Sequence, residues 1–269
     1  MKMNKIKVIF EPTKEKPFLV LYKPKNLPSA PLTFDDKNNA LFQAKELFPQ
    51  ISKVHGKKSI ENGLLHRLDT ATDGLLVICT SQECYDFLTE QQNKNKIAKT
   101  YTAECDFFKE NAFLLGGFPD CKFFFENNDD NSNCLQKSLI ESYFRPFGKG
   151  SKEVRPVTEN SGKAALKKIG KHKIYKTQIE FLQKNEKNCI VKCKIFQGYR
   201  HQVRCHLGWI GLPIKNDKFY NYYAKNQQKL QNENNNLVYE DDLRFTATKI
   251  EFEYPKGDLN SYEIAFTWT

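Results

Sequence analysis

Apolar and polar positions along the 269 residues fall into short blocks, most of them alternating. Lys5 to Phe10 alternates and Phe18 to Tyr22 is an apolar run closed by Lys23-Pro24, so both read as strands. Lys23-Pro24-Lys25-Asn26-Leu27-Pro28 then turns the chain, because each proline fixes its own backbone and biases its predecessor away from helix. Asn39 to Phe48 has apolar residues at 40, 41, 44, 47 and 48, which is helical spacing ended by Pro49.

Leu75 to Cys79 is uninterrupted apolar sequence and predicts a strand buried on both faces. Gly74 at its mouth suits a tight entry or a close backbone approach. Gln82 to Asn93 reads as a surface helix and Ile97 to Cys105 as a strand. Leu139 to Phe144 alternates again and runs into a basic turn, Arg145 to Gly150. Ile174 to Phe181 and Cys189 to Phe196 read as antiparallel strands, Gln202 to Trp209 as a helix, and Leu243 to Tyr254 and Tyr262 to Trp268 as closing strands. Strands dominate, which predicts an α+β fold: a mainly antiparallel, bent sheet around a central cleft, with helices near 39–48, 82–93 and 202–209. Two polar stretches, near 126–134 and 222–236, read as flexible insertions.

Charge changes this picture. The chain carries +10 with a pI near 9.0, which favours a polyanionic partner through counterion release. Six lysines lie between Gly162 and Lys176, either a solvated face or part of a surface for such a polyanion. No apolar run approaches the roughly 20 residues a membrane span needs, and Met1 to Glu11 has no apolar signal core, so no membrane association and a cytoplasmic location are expected. Of eight cysteines, five fall in strand-like runs, and no Cys-x-x-Cys occurs; reduced core thiols are expected rather than a metal site.

Candidate chemistry begins just before the buried strand. His66, Arg67, Asp69 and Thr70 form a polar loop that feeds into the core, and a carboxylate beside an arginine there can stay ionised while shielded from water. Such a carboxylate is a candidate nucleophile or base, or else a loop carboxylate paired locally at the surface. Lys99 and Tyr101 are two apart in a strand and so share a side; they could line a cleft, or be a core tyrosine with a snorkelling lysine.

The string His66-Arg67-Leu68-Asp69 followed by Thr72-Asp73-Gly74-Leu75-Leu76 resembles the signature loop of the RluA-like family of RNA pseudouridine synthases. Lys23-Pro24 resembles that family's opening turn, with Asn26 where glycine is usual, and Lys99-Thr100-Tyr101 resembles its second motif. A third motif is matched by Gly198-Tyr199-Arg200-His201-Gln202-Val203-Arg204-Cys205-His206-Leu207 with Gly211-Leu212-Pro213-Ile214 and Asp217-Lys218-Phe219-Tyr220. Departures are Tyr199 after the first glycine, and Asn216 and Asn221 in place of glycines.

The resemblance covers roughly residues 17 to 254 and implies one catalytic domain over 1–269, with no separate N-terminal RNA-binding domain. It implies that specific uridines of structured ribosomal or transfer RNA are isomerised to pseudouridine by a monomeric enzyme. Catalytic roles fall to Asp69, Tyr101 and Arg204, with Arg204 expected within salt-bridge reach of Asp69. Substrate contacts fall to His66, Arg67, Lys99, Arg200, His201, Gln202 and Val203. The isomerisation has no net redox change and transfers no external group, so no cofactor and no metal are expected. Two other readings are weighed: an inactive RNA-binding protein or RNA-folding helper on the same fold, and a histidine-dependent hydrolase or nuclease using His66, His201 or His206. Retention of all three motifs speaks against the first, and the five-residue spacing of His201 and His206 against the second.

Overall fold

A computed structural model describes residues 4–107, 115–120, 137–185, 187–226 and 242–266. The expected insertion at 126–134 lies outside the described residues, as does 222–236 apart from 222–226, which are helical. Within the span read from sequence as one domain, the chain forms two compact units, Met1–Tyr101 with Thr246–Thr269, and Thr102–Phe245.

Unit 1 contains β1 (Lys7–Phe10), β2 (Phe18–Lys23), α1 (Ala40–Leu47), β3 (Asp73–Cys79), α2 (Gln82–Asn93) and the first half of β4 (Ala98–Asp106). Most of β9 (Phe245–Glu253) and all of β10 (Leu259–Glu263) complete it. Strands β1, β2 and β3 pair antiparallel in that order. Strand β3 meets the start of β9 in a short parallel pairing, and β10 pairs antiparallel with its later half. All seven residues of β3 are buried, as its apolar run predicts. Gly74 at its start has φ 121°, and a Cβ there would sit 2.3 Å from the carbonyl oxygen of Ala247, so the close parallel approach of β9 requires a glycine. Phe18, Val20, Leu75, Val77, Leu88 and Phe252 form the core between the sheet and α2. The helix α1 starts where Asn39 accepts a hydrogen bond from the Phe42 amide, and α2 where Ser81 accepts one from Cys84.

Unit 2 holds the second half of β4, β5 (Lys137–Phe147), β6 (Glu153–Val157), α3 (Lys163–Leu166), β7 (Tyr175–Lys184), β8 (Asn188–Ile195) and α4 (Gln202–Trp209). Its strands lie in the order β4-β8-β7-β5-β6, and the pairs β8–β7, β7–β5 and β5–β6 are antiparallel. The basic stretch Arg145-Pro146-Phe147 is strand rather than turn: Phe144 to Pro146 stand opposite Pro156 to Val154. The turn begins at Gly148, where φ is 77°. The last strand lies earlier than its pattern suggests, at Leu259–Glu263.

Six cysteines among the described residues, Cys79, Cys84, Cys105, Cys189, Cys193 and Cys205, are buried and not disulfide-bonded. Among the described residues no helix is long and apolar enough to cross a membrane.

Candidate active site

In unit 1 the polar loop before β3 is fixed from both ends. Residues 63–65 run antiparallel beside β3, with Leu65 donating to the Val77 carbonyl at 3.1 Å and Cys79 to that of Gly63 at 2.8 Å. Ser29 Oγ then clasps Leu68, accepting from its amide at 2.9 Å and donating to its carbonyl at 2.8 Å. One residue past Asp69, the Thr70 carbonyl accepts from the Asn26 amide at 2.8 Å and from Lys23 Nζ at 3.3 Å. The Asp69 carbonyl closes the turn by accepting from Thr72 at 3.0 Å. Asp69 is therefore held between two clamps, while its side chain stays half-buried.

Asn26 adopts φ 60°, the left-handed region in which asparagine replaces glycine with little strain, so the Lys23–Pro28 turn keeps its form despite the sequence departure. Lys23 is fully buried, and its ammonium also donates to the carbonyls of Leu27 at 2.7 Å and Pro24 at 2.9 Å. Burial lowers the Lys23 pKa to about 8, against the opposing pull of the nearby Asp73 and Asp69 carboxylates. Asp73 is itself buried and accepts from Tyr22 Oη at 2.6 Å and Thr246 Oγ1 at 2.9 Å.

Tyr101 is buried on β4, and its phenol is pushed up first by desolvation and then by the charge of Asp69, so it keeps its proton at neutral pH. The geometry thus brings Asp69, Tyr101 and Lys23 into one electrostatic neighbourhood. Lys99 lies two residues earlier, 7% exposed, and burial lowers its pKa to about 8. His66 is held neutral, its pKa lowered to about 3 by burial and then by Lys99. Its Nε2 accepts from the Val77 amide at 3.4 Å, and its Nδ1 has no partner among the described residues. Arg67 is exposed and pairs with Glu61 at 3.2 Å.

The third motif lies in unit 2, on α4 and the loop after it. Sequence spacing suggests that one face of α4 is apolar and that Arg204 is left free, but all eight residues of the helix are buried. Arg204 makes a two-pronged pair with fully buried Asp217, Nε to Oδ2 at 2.7 Å and Nη2 to Oδ1 at 2.8 Å. Its guanidinium also lies over the rings of Phe219 and Tyr220, 5.5 Å from each centroid. Asp217 Oδ1 further accepts from the amides of Phe219 at 2.9 Å and Tyr220 at 3.2 Å. Burial would raise the Asp217 pKa, but Arg204, then the Phe219 amide and His201, outweigh it and hold the carboxyl below its ordinary value.

Asn216, in place of a usual glycine, takes φ 64°, and Asn221 donates to Asp106 at 2.7 Å and to the Ile214 carbonyl at 3.1 Å. Gln202 donates to the Lys176 carbonyl at 3.0 Å and to Thr177 Oγ1 at 3.2 Å, while its carbonyl accepts from the Tyr199 amide at 3.0 Å. His206 spends both ring nitrogens on Ser142 and Thr177, at 2.9 and 2.8 Å, and desolvation lowers its pKa to about 3. His201 Nδ1 meets Tyr220 Oη at 2.9 Å, Val203 is buried, and exposed Arg200 donates to the carbonyls of Ser151 and, at 3.1 Å, Glu153. Both ring nitrogens of His206 are therefore hydrogen-bonded within the fold, which does not suit it to a ligand pair with His201.

The expected pairing of Asp69 with Arg204 joins residues of different units. Sequence reasoning missed Lys23, Asp73 and Asp217 as contributors. The signals were present, since Lys23-Pro24 and Asp217-x-x-Tyr220 stand in the matched motifs, but nothing local says that either charge is buried.

A family model described as RNA pseudouridylate synthase matches residues 17–209. An uncharacterized RNA pseudouridine synthase of Mycoplasma genitalium is 27% identical over 216 residues, which is 80% of this chain and 55% of that protein. The mitochondrial tRNA pseudouridine(32) synthase of Saccharomyces cerevisiae is 27% identical over 221 residues, 80% of this chain and 37% of the relative. Ribosomal large subunit pseudouridine synthase C of Buchnera aphidicola is 26% identical over 202 residues, 73% of this chain and 50% of the relative. The chain thus spans about half or less of the length of these relatives. Among solved structures, human RNA pseudouridylate synthase domain containing 1 superposes with a TM-score of 0.61 at 14% identity, covering 99% of this chain and 85% of that one. Human RNA pseudouridylate synthase domain containing 4 gives 0.56 at 16%, covering 97% and 88%. The α+β fold with few helices is the fold of these proteins.

Proposed function

The chain belongs to the RNA pseudouridylate synthase family, and from that membership we propose that it isomerises uridines in structured RNA to pseudouridine, with Asp69 as the reacting carboxylate. The observation that carries this reading is the double clamp on the Asp69 loop, which presents a half-buried carboxylate beside the protonated phenol of Tyr101. A fixed backbone removes the ordering cost from the reactive encounter, and a low-dielectric setting strengthens the charge.

The reaction breaks the bond from C1′ to N1, rotates the uracil and joins C1′ to C5; the C5 hydrogen leaves to water as a proton and N1 gains one. Asp69 acts at the sugar. Tyr101 offers a flat face for the uracil and an O–H that donates, since the phenol keeps its proton. Arg204, oriented by Asp217, is the cation proposed to pair with Asp69, as in the family motif. Extruding the base costs a few kcal/mol, least in loops, which favours uridines in exposed turns of a folded RNA. Relatives named for transfer and ribosomal RNA support those two substrate classes.

The test is tritium release from tRNA and rRNA transcripts carrying [5-³H]uridine, with pseudouridine counted in the same RNA. The reading expects one tritium in water for each pseudouridine, unchanged by a chelator. RNA that binds, releases no tritium and gains no pseudouridine would overturn it.

A further inference from the structure

Unit 2 concentrates positive charge. From Tyr143 to Ile174 nine lysines and arginines stand against Glu153 and Glu159, a net +7 in a chain whose total is +10. The fold gathers them from separate segments. The Gly170 amide donates to the Phe144 carbonyl at 3.0 Å, which lays the Lys167–Lys173 loop across the end of β5 that carries Arg145. Arg200 hydrogen-bonds the carbonyls of Ser151 and Glu153, joining it to the turn that carries Lys149 and Lys152. Lys149, Lys152, Lys163, Lys167, Lys168, Lys171, Lys173 and Arg200 are all exposed.

A solvated helix face usually intersperses acids with its lysines, and this strip does not. Among the described residues none of Lys163, Lys167, Lys168, Lys171 and Lys173 forms an ion pair, and Glu153 is already taken by Arg155 at 2.8 Å and Lys225 at 2.7 Å. Arg145 is the second observation. Its Nη2 reaches the Gly117 carbonyl at 3.2 Å, its buried Nε has no partner among the described residues, and its pKa is lowered by desolvation and then by neighbouring Arg155. Arg145 stands opposite Arg155 on the neighbouring strand; Glu153 compensates Arg155, whereas Arg145 has the Phe147 ring 5.1 Å from its guanidinium but no carboxylate among the described residues, and a bound polyanion supplies that counter-charge.

We infer that the surface formed by residues 143–174 and Arg200 docks the phosphate backbone of folded RNA, an inference that rests on the reading of the chain as an RNA-modifying enzyme. Lysines on flexible stems hold phosphates as point charges and read no bases, so the strip supplies affinity and register rather than sequence choice. An anionic bilayer is the poorer fit, because among the described residues of this segment Ile174 is the large hydrophobe that stands exposed.

The experiment measures affinity of the full chain for a folded tRNA transcript across a series of salt concentrations. Replacing Lys167, Lys168, Lys171 and Lys173 together by glutamine should flatten the plot of log affinity against log salt by roughly 3, about 0.7–0.9 per charge, and each single replacement by just under one. A matched variant, Lys14, Lys37, Lys53 and Lys57 to glutamine, removes the same charge from exposed positions of unit 1 and should leave the slope within about one unit of wild type. An unchanged slope in the first variant, or an equal fall in the second, overturns the inference. So does a first variant that loses binding to phosphatidylserine vesicles while keeping its RNA affinity. Wild-type protein that binds RNA through this strip yet releases no tritium would remove the isomerase reading alone; an active wild type with a slope indifferent to the strip would remove the strip alone.

Discussion

Two carboxylates in the matched motifs are treated in opposite ways. Asp217 in unit 2 is wholly buried and saturated, with two contacts from Arg204 and two from backbone amides. Asp69 in unit 1 is half-buried, and there the hydrogen bonds described fall on the backbone on either side of it, from Ser29, Asn26 and Lys23. The first arrangement spends the side chain on holding the fold; in the second, the neighbours hold the backbone on either side of the carboxylate that we propose as the reacting group. Asp73, four residues from Asp69 and bonded by Tyr22 and Thr246, belongs with the first kind.

The sharpest way to break this contrast is to truncate each carboxylate. Asp217→Ala strands a buried guanidinium and should cost about 3–5 kcal/mol of unfolding free energy in urea titration. An Asp217→Ala protein as stable as wild type would show that the pair is not a brace. Next in size is a pH effect from the buried ring on α4. His206 has a folded pKa of about 3 against an ordinary 6.5, so between those values the unfolded chain binds more protons and stability rises with pH. Lowering pH from 7 to 5 should therefore remove about 2 kcal/mol through this ring alone, and His206→Gln should flatten that part of the profile. A profile equally steep in the variant would place the titrating group elsewhere. The smallest expected effect is at Tyr101. Tyr101→Phe keeps the stacking face and loses the hydroxyl, so turnover should fall by less than the roughly 100-fold typical of a lost acid–base group, with RNA affinity unchanged. Turnover equal to wild type would remove the hydroxyl from the mechanism.

Periodicity carried most of the architecture. The apolar run Leu75 to Cys79 lies within β3, and the helices read at Gln82 to Asn93 and Gln202 to Trp209 are α2 and α4 at those same bounds. Where pattern reading failed, a tertiary partner decided. Arg145-Pro146-Phe147 looks like a turn because proline and glycines cluster there, yet pairing with β6 keeps it extended to Phe147. The same applies to the site. The loop around Asp69 was legible as a string of residue types, but Lys23 reads as an ordinary turn lysine until the carbonyls of Pro24, Leu27 and Thr70 converge on it. The bond from Arg204 to Asp217 was illegible for the same reason, since Asp217 lies 13 positions away and nothing in the helical spacing announces it.

The central claim, that Asp69 reacts while the other buried carboxylates brace the fold, is tested most directly by tritium release from [5-³H]uridine-labelled RNA by Asp69→Asn. The substitution keeps the shape of the side chain and leaves the clamps from Ser29, Asn26 and Lys23 in place, so unfolding free energy should stay within about 1 kcal/mol of wild type and RNA affinity should be unchanged. The account predicts release at the no-enzyme background from this folded, RNA-binding protein. Release above that background would show that the reacting group lies elsewhere.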